Sequence, residues 1–331
     1  MDANEKKIVP ILVPDIIIVS QEDDPHTDAV FNYLHEKHQQ VVVTIIDTAQ
    51  FPQTMEFNIA MSSSVSKLKI IYPGYQAISV EKLRSIWWWR PQFPSIDNHI
   101  QDSNKAEFAY RECCQVIEGL WYINDCLWVN HPERQEVAFN CLYQLQLAKS
   151  MNFRIPETLV TNSARAVVDF WNKHEGEVMF KQLLPLAPKA FRLTPEIMKK
   201  IGNLNVAPLM FQEMVKLDAM LHLIVIGDRV FASRLLSYSK KDGGPEMKNY
   251  PLPQDIGTQV LNLAKAVGLF YLKIEMGIDK NSKYIFLGMD PTGSFLAEQM
   301  ATGLPLTEIL AELLLRGKIR ENQRLWPMMP S

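Results

Sequence analysis

Residues Asp15–Ile46 read DIIIVSQEDDPHTDAVFNYLHEKHQQVVVTII. Asp15–Ser20 is a β-branched run without polar alternation, which predicts a strand buried on both faces. A polar loop, Gln21–Asp28, follows, and Thr27 or Asp28 is the expected cap of a helix reaching about Lys37. Val41–Ile46 is the next buried strand. Strand, helix, strand is the pattern of a parallel α/β unit. Outward from it, Phe57–Ala60 and Leu68–Tyr72 read as two strands of a hairpin. Ser85–Arg90 (SIWWWR) is another strand, closed by Pro91 and Pro94. A helix is expected over Asn104–Tyr122 and a short strand over Leu127–Val129. One long amphipathic helix is expected over Pro132–Met151, with Pro132 in its first turn.

The second half changes character. Pro156–Thr161 reads as a strand entry, and Ser163 caps a helix to about His174. Val178–Lys181, Leu209–Glu213, Leu221–Ile226 and Val230–Leu236 are closely spaced strands, the last two joined by a Gly227-Asp228 turn. A helix over Pro253–Val267, strands at Leu269–Met276 and Tyr284–Met289, and a last helix over Thr307–Leu315 complete the chain. An α/β part followed by strand-rich α+β lobes is the expected fold class.

Composition narrows the function. The 331 residues carry 34 Lys+Arg against 37 Asp+Glu, a net charge of −3, and the pI is near 6.2. That balance supplies no electrostatic footprint for nucleic acid. Hydrophobic residues at 47% and charged residues at 21% are ordinary globular usage and exclude disorder and collagen. Four cysteines without a CxxC pair give neither a disulfide framework nor a cysteine-based zinc site, and the histidines show no metal spacing. No apolar run approaches the roughly 20 residues needed to span a bilayer. The N-terminal run is broken by Pro10, Pro14 and Asp15 and reads as a tail entering a strand rather than a signal peptide. The cytoplasm is the expected compartment.

Few residues stand out as chemistry. Trp87–Trp89 on a strand place large aromatics on both faces; the plain alternative to an aromatic-plus-Arg90 peptide grip is a buried central strand. Lys181 ends an apolar strand, where its ammonium can meet a phosphate or simply reach solvent. Gln212-Glu213, on another apolar strand, offer acceptors to an adenine or form a polar pair at a sheet edge. Glu275 and Asp290 sit near the ends of adjacent strands. They fit two oxygen ligands for Mg2+ equally with two acids beside turns, Asp290 opening an Asp-Pro-Thr-Gly turn. GxSxG, GxGxxG and Walker A patterns are absent, and Cys113-Cys114 fall inside a helix.

Several segments together carry a resemblance: DIIIVSQEDDPHTDAV, IWWWRPQFP, LWVNHPERQEVAFNCLYQLQLAKSMNFRIPETLVTNS, APLMFQE, VIGDRVFASRL, YIFLGMDPTGSF and ATGLPLTEILAELL. They occur in family order over about residues 15–316. The chain resembles the ATP-grasp ligases that modify ribosomal peptides, the microviridin or graspetide macrocyclases. The resemblance implies an ATP-grasp fold with an N-terminal α/β pre-ATP-grasp domain. The expected divisions are a tail at 1–14, the pre-ATP-grasp domain at 15–128, a central subdomain at 129–208 and a C-terminal subdomain at 209–331. It also implies ATP and Mg2+ as cofactors, an acyl-phosphate route to ester or amide links, and a leader or precursor peptide as partner. Carried onto this chain, Lys181, Gln212, Glu213 and His222 fall at nucleotide-binding positions, Glu275 and Asp290 at metal positions, and Arg90 and Trp88 in the peptide-binding half. No catalytic residue is assigned.

The departures from that pattern are charged ones. Where the family has Asn-Lys-Leu, this chain has Asn140-Cys141-Leu142. Where it has Asp-Leu-Arg, this chain has Met220-Leu221-His222. Its Glu-Val-Asn-Pro becomes Gly288-Met289-Asp290-Pro291, and the loop after Lys181 lacks glycine. Loss of one charge-stabilising donor lowers a rate by about 10²–10³-fold. Three readings follow: a family member with a decayed nucleotide site, acting as a peptide-binding or partner subunit beside an intact ATP-grasp enzyme; an active ligase using Glu275, Asp290 and Lys181; or an unrelated small-molecule ATP-grasp ligase. Dimers are common in the resembled family, so a homodimer is compatible with each.

Overall fold

The computed structural model describes residues 10–63, 66–73, 76–123, 125–183, 190–239 and 244–317. Contacts divide the chain into two units, Met1–Pro132 with Pro305–Ser331, and Glu133–Leu304.

The first unit opens with β1 (Ile11–Leu12), β2 (Ile16–Ser20), α1 (Pro25–Lys37), β3 (Val43–Ile46), β4 (Glu56–Met61), β5 (Ser66–Tyr72), β6 (Gln76–Ser79) and β7 (Ser85–Arg90). It continues with α2 (Ser103–Ile123) and β8 (Leu127–Val129). Strands β3-β2-β7-β8 form a parallel sheet. β2 is buried along its whole length, as its uninterrupted apolar run requires of a central parallel strand. The expected hairpin exists as β4–β5, in a second sheet of order β1-β6-β5-β4. Residues 11–12, expected in the tail, pair with β6 instead; residues 1–9 of that tail lie outside the described residues.

The cap of α1 is Asp24, not Thr27 or Asp28, which lie inside the helix. Pro25 sets the first-turn φ, and the Asp24 carboxylate accepts from the backbone N–H groups of His26 and Thr27, both at 3.0 Å.

The second unit holds α3 (Pro132–Phe139), α4 (Cys141–Ser150), β9 (Thr158–Thr161), α5 (Ala164–Lys173), β10 (Val178–Lys181), β11 (Phe191–Arg192), α6 (Pro195–Met198) and β12 (Leu209–Glu213). After them come β13 (Leu217–Ile226), β14 (Arg229–Ser239), β15 (Gly244–Asn249), α7 (Gln254–Val267), β16 (Tyr271–Asp279), β17 (Tyr284–Asp290) and α8 (Leu296–Thr302). A four-stranded sheet, β11-β10-β12-β9, packs α5 through Val167, Phe170, Val178 and Phe211. A five-stranded sheet, β15-β14-β13-β16-β17, packs one face against α4 and α7 through Leu221, Leu223, Leu272, Ile274, Leu145 and Leu263.

The single helix expected over Pro132–Met151 is two helices. Asn140 interrupts it, because its side chain accepts from Leu142 N and Tyr143 N, both at 3.1 Å. A short amide side chain competes in this way with the helical hydrogen bond and starts a new helix. Asn140→Ala should therefore cost about 1 kcal/mol, read as a lowered denaturation midpoint.

The last helix, α9 (Leu306–Arg316), does not stay with the C-terminal strands as the 209–331 division expects. It packs on α1 and β7 in the first unit, and Ser85 Oγ donates to Leu314 O at 2.8 Å. Its apolar stripe of Leu306, Ile309, Leu310, Leu313 and Leu314 is buried there. The central and C-terminal subdomains expected at 129–208 and 209–331 otherwise form one contact unit up to Leu304. No described helix is long and apolar enough to cross a membrane, and none of the four cysteines is in a disulfide.

Candidate functional site

In the first unit, all three tryptophans of SIWWWR are buried. Trp87 and Trp89 share one face, with ring centroids 5.1 Å apart. Trp88 points the other way, into a core with Trp121 and Trp128. Trp88, expected as a peptide contact or its support, offers no surface: period-two alternation puts it inside a sheet covered on both faces. Arg90 is half-buried. Its guanidinium lies 4.9 Å from the Trp89 ring centroid and donates to Asp24 Oδ2 at 3.2 Å, while Trp89 Nε1 donates to Asp24 Oδ1 at 3.0 Å. Asp24 is thus a buried junction between the start of α1 and the end of β7.

In the second unit, the nucleotide positions gather less than the resemblance implies. Lys181 lies near Glu275 and Cys141. Burial pulls its ammonium below its ordinary value, opposed by the neighbouring Cys141 and Glu275 side chains. Cys141 stands where the family's second lysine would be; burial pushes its thiol up, and its Sγ lies 3.7 Å from Leu183 O. The glycine-free loop after Lys181 falls largely on 184–189, outside the described residues.

Gln212 is buried and donates to Thr158 Oγ1 at 2.9 Å. Glu213 accepts from Glu157 N at 3.0 Å. Both side chains are engaged in hydrogen bonds within this sheet and at its edge. A cleft of about 400 Å³ opens beside Met214–Lys216, lined also by Arg154, His174, Glu177 and Asp279; it touches Glu213 and none of the other expected site residues.

The two expected metal positions are diagonal neighbours on one face of β16 and β17. Glu275 is exposed on β16 and pairs in register with Gly288 on one side and His222 on the other. At Gly288 an added Cβ would meet only Gln144 Oε1, at 3.8 Å. Asp290 Oδ1 accepts from Thr292 N at 2.8 Å and Thr292 Oγ1 at 3.1 Å, so its carboxylate serves its own turn. Among the described residues, no three His, Cys, Asp or Glu side chains cluster as a metal site. Mg2+ prefers several oxygen ligands, and this arrangement does not fit it.

Two residues that sequence reading passed over organise this sheet. Glu298, from α8, is 1% exposed. Its Oε1 accepts from His222 Nδ1 at 2.8 Å and from Lys273 Nζ at 2.5 Å. Burial alone would raise the Glu298 carboxyl, but the His222 hydrogen bond and the Lys273 charge hold it below its ordinary value. His222, expected to meet phosphate in place of an arginine, is locked into this cluster instead. The available signal was an acid directly after the apolar run Phe295-Leu296-Ala297. Gln144, also passed over, clamps β17 by accepting from Met289 N at 3.1 Å and donating to Met289 O at 2.8 Å.

Residues 15–136 match the MvdD pre-ATP grasp domain family. No curated protein sequence matches the chain. Among solved structures, the chain is similar to the macrocyclase MdnC bound with precursor peptide MdnA, from Microcystis aeruginosa MRC. The TM-score is 0.80 at 22% identity, over 92% of this chain and 99% of that one. It is also similar to the Chryseobacterium gregarium RiPP-associated ATP-grasp ligase in complex with ADP, a leader and a core peptide, with TM-score 0.80 at 19% identity over 93% and 97%. A third is the ATP-grasp ligase PsnB complexed with minimal precursor, Mg and ADP, with TM-score 0.77 at 20% identity over 91% and 96%. The fold is therefore ATP-grasp, with a pre-ATP-grasp α/β domain in front of it.

Proposed function

We propose, from the premise that this is an ATP-grasp fold behind an MvdD-type pre-ATP-grasp domain, that the chain binds the precursor peptide of a ribosomal peptide pathway and acts as a partner subunit in the cytoplasm. It does so beside an intact ATP-grasp enzyme rather than as an efficient phosphoryl-transfer catalyst itself. The observation that carries this reading is the metal strand. Glu275 faces a glycine, Asp290 is tied into its own turn, and no further carboxylate compensates among the described residues. Binding and positioning survive such losses; charge neutralisation at a transferring phosphoryl group does not. No phosphoryl-transfer step is assigned to this site.

One observation favours the alternative of an active ligase that forms ester or amide links. Lys181 and Glu275 come together from different sheets, as a phosphate-facing lysine and a metal carboxylate would.

Calorimetric titration separates the two. The partner reading expects no Mg-ATP binding, whereas a bound nucleotide at 100 times its dissociation constant would stabilise the protein by about 2.7 kcal/mol. A short amphipathic peptide encoded beside this gene should bind without nucleotide at micromolar strength, about −8 kcal/mol. Combining Gly288→Glu, Asp290→Asn and Cys141→Lys should create Mg-ATP affinity that the parent lacks; the space at Gly288 admits the new side chain. Tight Mg-ATP binding by the parent, with ring formation on the peptide, would establish the ligase.

A further inference from the structure

The cleft of about 400 Å³ lies apart from the expected nucleotide positions. Lys181 pairs with Met210, and period-two alternation puts Gln212 on that same face of the four-stranded sheet. Glu213 leaves the opposite face with Phe211, which packs α5. The cleft therefore opens behind the strand that carries Gln212, where residues 214–216 lead from β12 to β13. Its volume is in the range of small-ligand sites, about 300–1,000 Å³.

The charges that line it are unequally committed. Asp279 accepts from the Arg154 guanidinium and from Asn281 N and Lys283 N, both at 2.9 Å. Glu177 accepts from Arg192 at 2.7 Å, and Glu213 from Glu157 N at 3.0 Å. Lys216 and Lys280 are exposed and form no ion pair among the described residues. β13 and β16 pair at Leu217 and Asp279, so the two lysines come next, side by side at neighbouring strand ends, where like charges repel. Both line the cleft, as does Arg154, which gives one guanidinium nitrogen to Asp279 and has a half-exposed side chain. Three cations thus converge on the cleft while its acids already have donors. A multiply charged oxyanion relieves the lysine repulsion and accepts from all three.

We propose that this cleft binds an oxyanion of two or more charges, a phosphate or dicarboxylate group, through Lys216, Lys280 and the remaining donors of Arg154. Lysine meets such a group as a point charge and arginine through its fork of N–H donors. The bound anion touches both the crossing from β12 to β13 and the turn after β16. The site lies outside the nucleotide and metal positions and does not depend on the peptide-binding reading.

The test is an amide NMR titration of the full chain with inorganic phosphate at neutral pH, repeated with succinate, each at constant ionic strength. Saturable shifts are expected at Val215 and Lys216 together with Lys280 and Asn281. Saturation by phosphate alone identifies a phosphoryl-type ligand, and saturation by succinate identifies a carboxylate one. Lys216→Gln and Lys280→Gln, both at exposed positions, should each weaken binding about two- to fivefold, and the double variant should weaken it further. Lys265→Gln, on α7 and outside the cleft, should leave it unchanged. Shifts confined to the surroundings of Lys181 and Glu275, a double variant that binds as the parent does, or an equal loss in Lys265→Gln would overturn the proposal, as would no saturation by either anion.

Discussion

Asp24→Ala should cost about 3–5 kcal/mol, the range for stripping one partner from a buried ion pair. The Asp24 side chain is fully buried, and its carboxylate receives four donors: two backbone N–H groups at the start of α1, the indole of Trp89 and the guanidinium of Arg90. Alanine leaves all of them without that acceptor and keeps a half-buried cation against the Trp89 ring. Total stabilities of about 5–15 kcal/mol make this a large fraction. Urea denaturation should show a much lower midpoint with an unchanged slope. Asp24→Asn, which still accepts at the cap but loses the charge, should fall between alanine and parent. A cost below about 1 kcal/mol for alanine would mean that this carboxylate does not hold α1 to β7.

Lys273→Ala should cost a similar amount, about 3–5 kcal/mol at neutral pH, because Glu298 would remain buried with only His222 beside it. The lysine stem is closely packed as well: a Cβ at Gly293 would lie 2.7 Å from Lys273 Cβ, so that glycine is needed for the approach. The pH dependence has a definite sign. The folded-state Glu298 carboxyl is held below its ordinary value, so its contribution is complete above the ordinary glutamate range, about pH 4.3. The contribution is lost as pH falls through the lowered folded value. The stability gap between the parent and Glu298→Gln should therefore be widest at neutral pH and close in acid. A gap that is constant from pH 7 to acid would show that Glu298 is not ionised in the folded protein.

The elements legible in the sequence are those whose residues settle the matter locally. DIIIVS and SIWWWR have no polar face, so they had to be interior strands, and Gly227-Asp228 had to turn. The α1 cap was misplaced by a few residues because Thr27 and Asp28 are as good caps as Asp24 when the donors on β7 are unseen. Asn140 hid its break inside an apolar stripe that continues through it. β15 (GPEMKN) contains a proline and two charges and is a strand through its pairing with β14, which no local pattern encodes. The site residues suffered most from this. His222, Lys273 and Glu298 are far apart in sequence. Sheet register and one helix bring them together, so no local pattern announces the cluster.

The position of α9 bears on how the chain is born. The first unit's sheet is complete once β8 has left the ribosome, yet the helix that covers α1 and β7 is encoded after the whole of Glu133–Leu304. At roughly 5–20 residues per second, the nascent first unit waits on the order of ten seconds or more with that apolar strip uncovered. During this interval it is a natural client for a chaperone. The same gap warns against expressing residues 15–136 alone: the matched segment lacks its own lid, and a stable fragment has to carry Leu306–Arg316 back to it through a short artificial linker.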